Sequence, residues 1–265
     1  MSKFSIITCV SNKKVYNECI IKSLNDVRGK YDCEIIPIIN TNNIYTMPAA
    51  YNAAIRCAKS DNLIFTHQDV KFTDKWFDKL VNIIESCPDW GIIGCAGIGR
   101  KFSIRNIGKW GGYKHSQVAV GVVYGSDNEI KPSWDGIKDT MKVHCVDECL
   151  FVLNKKTKLI FDEDLNGFHF YGTDICLQAR AKKYGVYAAN LPIIHYGKYS
   201  TSMSDASYWK LFHMLHKKWS HKFKTLLGTH MHWNNNELIS YINYKLSGPD
   251  FVEIKIQGIG VQFED

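Results

Sequence analysis

Apolar residues in the first 95 positions come as short unbroken runs separated by amphipathic stretches. Phe4 to Val10 is a β-type run, and Val15, Cys19, Ile20, Leu24 and Val27 then recur at helical spacing. Cys33 to Ile39 predicts a second strand ending at Asn40-Thr41-Asn42-Asn43, after which Pro48 opens a small-residue helix bearing Ala50, Ala53, Ala54 and Cys57. Leu63 to Thr66 is a third strand. A helix with Trp76, Leu80, Ile83 and Ile84 follows, Pro88-Asp89 breaks it, and Trp90 to Cys95 supplies a fourth strand. Such alternation predicts an α/β fold with a mostly parallel central sheet flanked by helices.

From Gly97 to about Lys142 the pattern turns to glycines, aromatics and basic residues, which predicts a hairpin and loop insertion over the sheet edge. Val143 to Leu153 reads as one strand carrying Asp147-Glu148, and Leu159 to Phe161 as a shorter one. Gly172-Thr173-Asp174 opens a helix with Ile175, Leu177, Ala181 and Tyr184 on its apolar face and Gly185 as its stop. Val186 to Ile194 is the last strand of the domain and delivers His195. These elements define residues 1–200 as one domain. Residues 201–265 form a C-terminal helix and strand extension packed on it: a helix over Asp205 to Lys224, another over Glu237 to Leu246, and an alternating strand with Val252, Ile254 and Ile256. A terminal strand of that kind pairs readily with a partner's edge, so a homodimer is expected.

Composition narrows the class. Hydrophobic content of 45% and charged content of 22% are those of a globular protein. No apolar run reaches the length of a membrane span, and the first residues lack a signal-peptide layout, so the expected location is the cytoplasm. Nine cysteines without a CxxC pair imply reduced thiols, neither zinc ligands nor disulfides. The net charge of +7 fits nucleotide phosphates, polyanions or an anionic lipid surface. Zinc-finger, RNP and basic-zipper signatures are missing, so no nucleic-acid partner is expected. Lys210, His213, Lys217, His221 and Lys224 line one side of the helix after Asp205; a solvated face is the first reading and peripheral contact with the inner face of a membrane the second.

The chemistry concentrates at strand ends. Leu63-Ile64-Phe65-Thr66 ends abruptly in His67-Gln68-Asp69, at the edge where open α/β sheets place ligands. Asp174 lies in the first turn of a helix and His195 follows the final strand. A carboxylate and an imidazole converging there suit a divalent ion, and a nitrogen donor favours Mn2+ over Mg2+. Asp174 would feel the positive end of the helix dipole and could deprotonate a hydroxyl. The glycines at 91, 94, 97 and 99 do not make GxGxxG, and no P-loop is present, which removes a Rossmann dehydrogenase and a P-loop enzyme.

The ordered set of His67-Gln68-Asp69, Val146-Asp147-Glu148, Phe161-Asp162, His169-Phe170-Tyr171-Gly172-Thr173-Asp174 and Ile194-His195 resembles bacterial GT-A glycosyltransferases of the family 2-like group, over residues 4 to 200. The resemblance implies a sugar transferred, with inversion and metal dependence, from a nucleoside-diphosphate sugar to a glycan or lipid-linked glycan acceptor in surface polysaccharide synthesis. It also implies Asp174 as catalytic base, Asp69 and His195 as metal ligands, and a donor pocket drawing on Thr8, Val10, Asn40, Asn52, His67 and Asp69. His67 replaces the first acid of the family's Asp-x-Asp motif, so it contacts either the metal or the donor. Asp147 and Glu148 read as a salt bridge or solvated edge before acceptor contacts; His169 and Tyr171 divide evenly between packing and the acceptor. Two other functions fit the same chain: a sugar-phosphate nucleotidyltransferase, which lacks support because no glycine-rich, lysine-bearing loop follows the first strand, and a catalytically silent glycan-binding scaffold.

Overall fold

The computed structural model describes residues 3–99, 122–126, 129–132, 140–197, 206–227 and 232–234. The strands are β1 (Lys3–Val10), β2 (Asp32–Ile39), β3 (Asn62–Thr66), β4 (Val70–Phe72), β5 (Trp90–Gly94), β6 (Gly97–Gly99), β7 (Val122–Ser126), β8 (Glu129–Pro132), β9 (Thr140–Val146), β10 (Leu150–Asn154), β11 (Gly185–Ala189), β12 (Ile193–His195), β13 (Thr225–Leu227) and β14 (His232–Asn234). The helices are α1 (Lys13–Tyr16), α2 (Lys22–Val27), α3 (Met47–Cys57), α4 (Trp76–Ser86), α5 (Tyr171–Ala181) and α6 (Ala206–Trp219).

Eight strands form one sheet in the order β2-β1-β3-β10-β5-β11-β9-β6. Six run the same way, and β10 and β9 run against them. The expected mostly parallel sheet is therefore present. The continuous apolar runs are its central strands: Leu63, Ile64 and Phe65 of β3 and all of Leu150–Leu153 in β10 are buried, as two-sided cover requires. Pro37 is tolerated because β2 is an edge strand with a single neighbour.

Helices cover both faces. On one, α3, α5 and α6 pack through Tyr51, Ile175, Leu177, Phe212 and Leu215 against Phe65, Phe151 and Phe161. On the other, Ile20, Leu24, Trp76, Phe77 and Leu80 meet Phe4, Ile6 and Ile64. The first helical pattern is one rod in which a π-helical segment, Asn17–Ile21, joins α1 to α2. Behind it, the Ser23 hydroxyl donates to the Cys19 carbonyl at 2.6 Å and accepts the Phe72 amide at 3.1 Å.

A second sheet, β4-β12-β7-β8, lies beyond the ends of β3 and β11. It contains the β7–β8 hairpin of the expected insertion, whose two ends, Gly97–Gly99 in β6 and the start of β9 at Thr140, belong instead to the main sheet; the other residues of the insertion, and the helix and strand expected after Asn234, lie outside the described residues.

Three predicted elements change. Val143 to Leu153 is two strands, because the Asp147 carboxylate accepts the Cys149 amide at 3.0 Å and turns the chain between β9 and β10. Val186 to Ile194 also divides, at Asn190-Leu191-Pro192, into β11 and β12 in different sheets. Leu159 to Phe161 pairs with no strand; the Phe161 amide and carbonyl are bonded by the Asn52 side chain instead. All nine cysteines are free and six are buried. Among the described residues no helix is long and apolar enough to cross a membrane.

Candidate active site

Strand order places the site. The chain passes from β1 outward to β2 and then returns to β3 on the other side of β1, so a switch point lies between β1 and β3, the crevice in which open α/β sheets bind ligands. Gln68, just past β3, closes it from beneath: its carbonyl accepts the Ser11 and Asn12 amides at 3.0 and 2.8 Å, and its amide donates to the Ser11 hydroxyl at 2.7 Å.

Antiparallel pairing of β4 with β12 sets His195 opposite Val70 and so beside Asp69. His195 Nε2 lies 3.3 Å from Asp69 Oδ1, and the His67 ring centroid is 5.4 Å from that of His195. One ligand atom from each of His67, Asp69 and His195 lies within 4.8 Å of the others. Burial pushes the Asp69 carboxyl upward, but the hydrogen bond and charge of His195, with His67 behind, outweigh burial and hold it below the ordinary aspartate range. Gly197 leaves room for this arrangement: a Cβ there would sit 2.8 Å from His195 Cε1 and Nε2.

Ligand atoms each about 2.1 Å from a shared ion lie within about 4 Å of one another, so this trio closes on a divalent ion with small side-chain rotations. Two imidazoles and a carboxylate are a donor set for a borderline transition ion. The residues present fit a metal.

Asp174 is held apart from the trio and is fully buried. Its oxygens accept Trp219 Nε1 at 2.6 Å, Gln178 Nε2 at 2.7 Å and Lys218 Nζ at 2.8 Å. Lys218 also binds Asp162. Burial draws Lys218 down, yet the charges of Asp174 and Asp162 outweigh it and raise the ammonium above the ordinary lysine range. Tyr171, one helical turn before Asp174, sets its hydroxyl 3.4 Å from His67 Nε2.

Asp147 and Glu148 are buried, not on a solvated edge. Glu148 Oε1 accepts the Gly172 amide at 2.8 Å at the N-terminus of α5, and burial, reinforced by the Asp147 charge, raises its carboxyl to about 8. Tyr171 is buried, whereas His169 is half-buried with its ring 5.2 Å from Tyr208. The residues expected in the donor pocket lie along the same edge. Thr8 and Val10 are fully buried, and Asn40 and Asn52 nearly so. Asn40 binds the Tyr45 carbonyl and amide at 2.9 and 3.0 Å. Asn52 donates to the Phe161 carbonyl and to Glu163, both at 2.9 Å. Asn52 also lines a cavity with Phe161, Asp162, Lys218 and Trp219.

A family model described as "Glycosyltransferase like family" matches residues 5–214. The chain belongs to that family. A curated protein of Fuscovulum blasticum, "ATP synthase subunits region ORF 6", is 29% identical over 177 residues, 64% of this chain and 61% of that protein. This glycosyltransferase-like chain thus spans about three fifths of that relative's length. The crystal structure of GalNAc-T7 with UDP, GalNAc and Mn2+ has the same fold, with a TM-score of 0.58 at 9% identity, over 84% of this chain and 49% of that one. The fold of this family member is the GT-A type.

Gln68, Gly197, Lys218 and Trp219 enter the site without a sequence motif to announce them. Gln68 stood inside the polar cluster, but only tertiary pairing reveals its targets. Lys218 and Trp219 hold the carboxylates of Asp162 and Asp174.

Proposed function

We propose that this chain transfers a sugar from a nucleoside-diphosphate sugar to a glycan or lipid-linked glycan acceptor, in the synthesis of a surface polysaccharide. The observation that carries the reading is the convergence of His67, Asp69 and His195 at the switch point between β1 and β3. The two imidazole nitrogens favour Mn2+ over Mg2+. When bound, the ion supplies positive charge to the departing diphosphate.

In this reaction the acceptor hydroxyl oxygen bonds to the anomeric carbon from the face opposite the diphosphate. The bond from that carbon to the diphosphate oxygen breaks, its electron pair leaving with the nucleotide, and configuration inverts. The hydroxyl proton passes to Asp174. Support for that role comes from the position of Asp174 one turn beyond Tyr171, whose hydroxyl meets His67. Transfer requires the acceptor hydroxyl to take the place of Trp219 Nε1 or Lys218 Nζ on the carboxylate. Glu148 acts by fixing the first turn of α5, and the insertion between Gly97 and Lys142, which contains the β7–β8 hairpin, receives the acceptor together with His169. The enzyme works in the cytoplasm, with exposed Lys210, Lys217 and Lys224 available to an anionic membrane, and as a homodimer.

The test is titration with nucleoside diphosphates, with and without Mn2+, joined to turnover. Asp69→Asn is expected to lose metal-dependent nucleotide binding. Asp174→Asn is expected to keep that binding and lose transfer; near-normal turnover by this variant refutes the base assignment.

A further inference from the structure

The cavity beside Asn52 has a volume of about 590 Å3, inside the range of about 300–1,000 Å3 found for small-ligand clefts. Ile160, Glu163 and the C-terminal end of α5, at Gln178, Ala181 and Lys182, complete its walls. It stands apart from the metal-fitting trio. Tyr171, which meets His67, precedes Gln178 by two turns of α5, about 10 Å along the helix axis.

Its apolar walls are open to solvent and held still. Ile160 is 61% exposed and Trp219 is half-buried. Trp219 Nε1 is anchored on fully buried Asp174 at 2.6 Å, and Asn52 fixes both main-chain groups of Phe161. Walls ordered before a ligand arrives lose little entropy when it binds.

Charge and hydrogen-bonding capacity select the ligand. Two ammonium groups, Lys182 and Lys218, and two carboxylates, Asp162 and Glu163, share the lining, so the cavity favours neither sign of charge. The donors nearest Asp174 are engaged: Lys218 on Asp174 and Asp162, Trp219 on Asp174, and the Gln178 amide on Asp174 and the Ile160 carbonyl. Acceptor capacity is left over. Burial pushes the Asp162 carboxyl upward, but the Lys218 hydrogen bond outweighs it and holds the group below the ordinary aspartate range, so it accepts without donating. Among the described residues no donor meets Glu163 Oε2 or Gln178 Oε1. A matching ligand is neutral, brings its own hydrogen-bond donors and has apolar faces for Ile160 and Trp219. Hydroxyl groups set around C–H faces, as in a sugar ring, meet all three requirements. An acyl chain would strip water from the acceptors and replace it with nothing, and a phosphate would meet two carboxylates.

We infer that this cavity binds a neutral oligosaccharide at a site separate from the trio. The site needs neither cation nor nucleotide. For a member of a glycosyltransferase-like family it supplies a second hold on a glycan, away from the point of transfer.

Saturation-transfer NMR of the full chain, without Mn2+ or nucleotide, tests it with maltotetraose, cellotetraose, mannotetraose and tetra-N-acetylchitotetraose as probes. At least one is expected to bind. Ala181→Trp, which fills the cavity, is expected to weaken that probe by about 10-fold or more, and Ile160→Ser by about 5-fold or more. Ile160 is exposed, so its replacement should leave the melting temperature near that of wild type. Asp69→Asn is expected to bind the probe like wild type, and excess spermidine or inorganic pyrophosphate to leave it bound. Binding of no probe overturns the inference, as does unweakened binding by either cavity variant. Displacement by spermidine or pyrophosphate, or loss of binding in Asp69→Asn, overturns it equally. Nucleotide titration with Mn2+ examines the donor site independently, so either reading can fail while the other stands.

Discussion

Lys218→Met removes one ammonium that two carboxylates share. Methionine retains much of the aliphatic stem, so the loss is chiefly electrostatic. An ion pair in full solvent contributes about 0–1 kcal/mol, whereas breaking a buried pair costs about 3–5 kcal/mol because a charge is left uncompensated. Side-chain exposure is 33% for Lys218 and 24% for Asp162 but only 1% for Asp174. Water can therefore rescue Asp162 and cannot rescue Asp174, which retains only Trp219 and Gln178 as donors. The expected destabilisation is about 3 kcal/mol, near the lower end of the buried range. Urea unfolding of the single variants and of the pair with Asp174→Asn measures it. With Asp174 already neutral, Lys218→Met should cost only about 1 kcal/mol. A loss below about 0.5 kcal/mol, or strict additivity in the double-mutant cycle, would falsify the shared counter-ion and with it the clamp of α6 upon α5.

Two further outcomes are expected. Glu148 has a folded pKa of about 8 against about 4.3 when unfolded, so the native state binds more protons between these values and loses stability as pH rises through them. Glu148→Gln should remove that slope and be more stable than wild type at pH 8.5, as chemical denaturation across pH will reveal; parallel curves for the two proteins refute it. Asn52→Ala strips partners from both main-chain groups of buried Phe161 and should cost about 2–4 kcal/mol without altering the donor KM; a raised KM at unchanged stability would make Asn52 a donor contact.

The central strands were legible because burial on both faces leaves an uninterrupted apolar signature, as in Leu63-Ile64-Phe65. Pairing was not, since nothing local tells β10 to insert in reverse between β3 and β5. Asp147 hid a turn: its side chain caps the chain within an otherwise strand-like run. At the site, Asp69 and His195 were visible as polar residues ending apolar strands. Their meeting depends on a ladder of three residue pairs between β4 and β12, too short to leave a periodic trace. Asn40 and Asn52 show the limit, because a buried amide that builds a loop and one that greets a ligand have the same letter.

The π-helical segment reaches further than its five residues suggest. It sets the rotational phase of everything after Ile21, and Ser23 lies just downstream, hooked to the Phe72 amide at the end of β4. Deleting one residue from Asn17–Ile21 would make the rod regular and swing Ser23 about 100° around its axis, away from that amide. A change on the surface opposite α5 would thereby loosen the strand that carries Asp69 to His195, which makes this irregular turn a distant adjuster of the cation site.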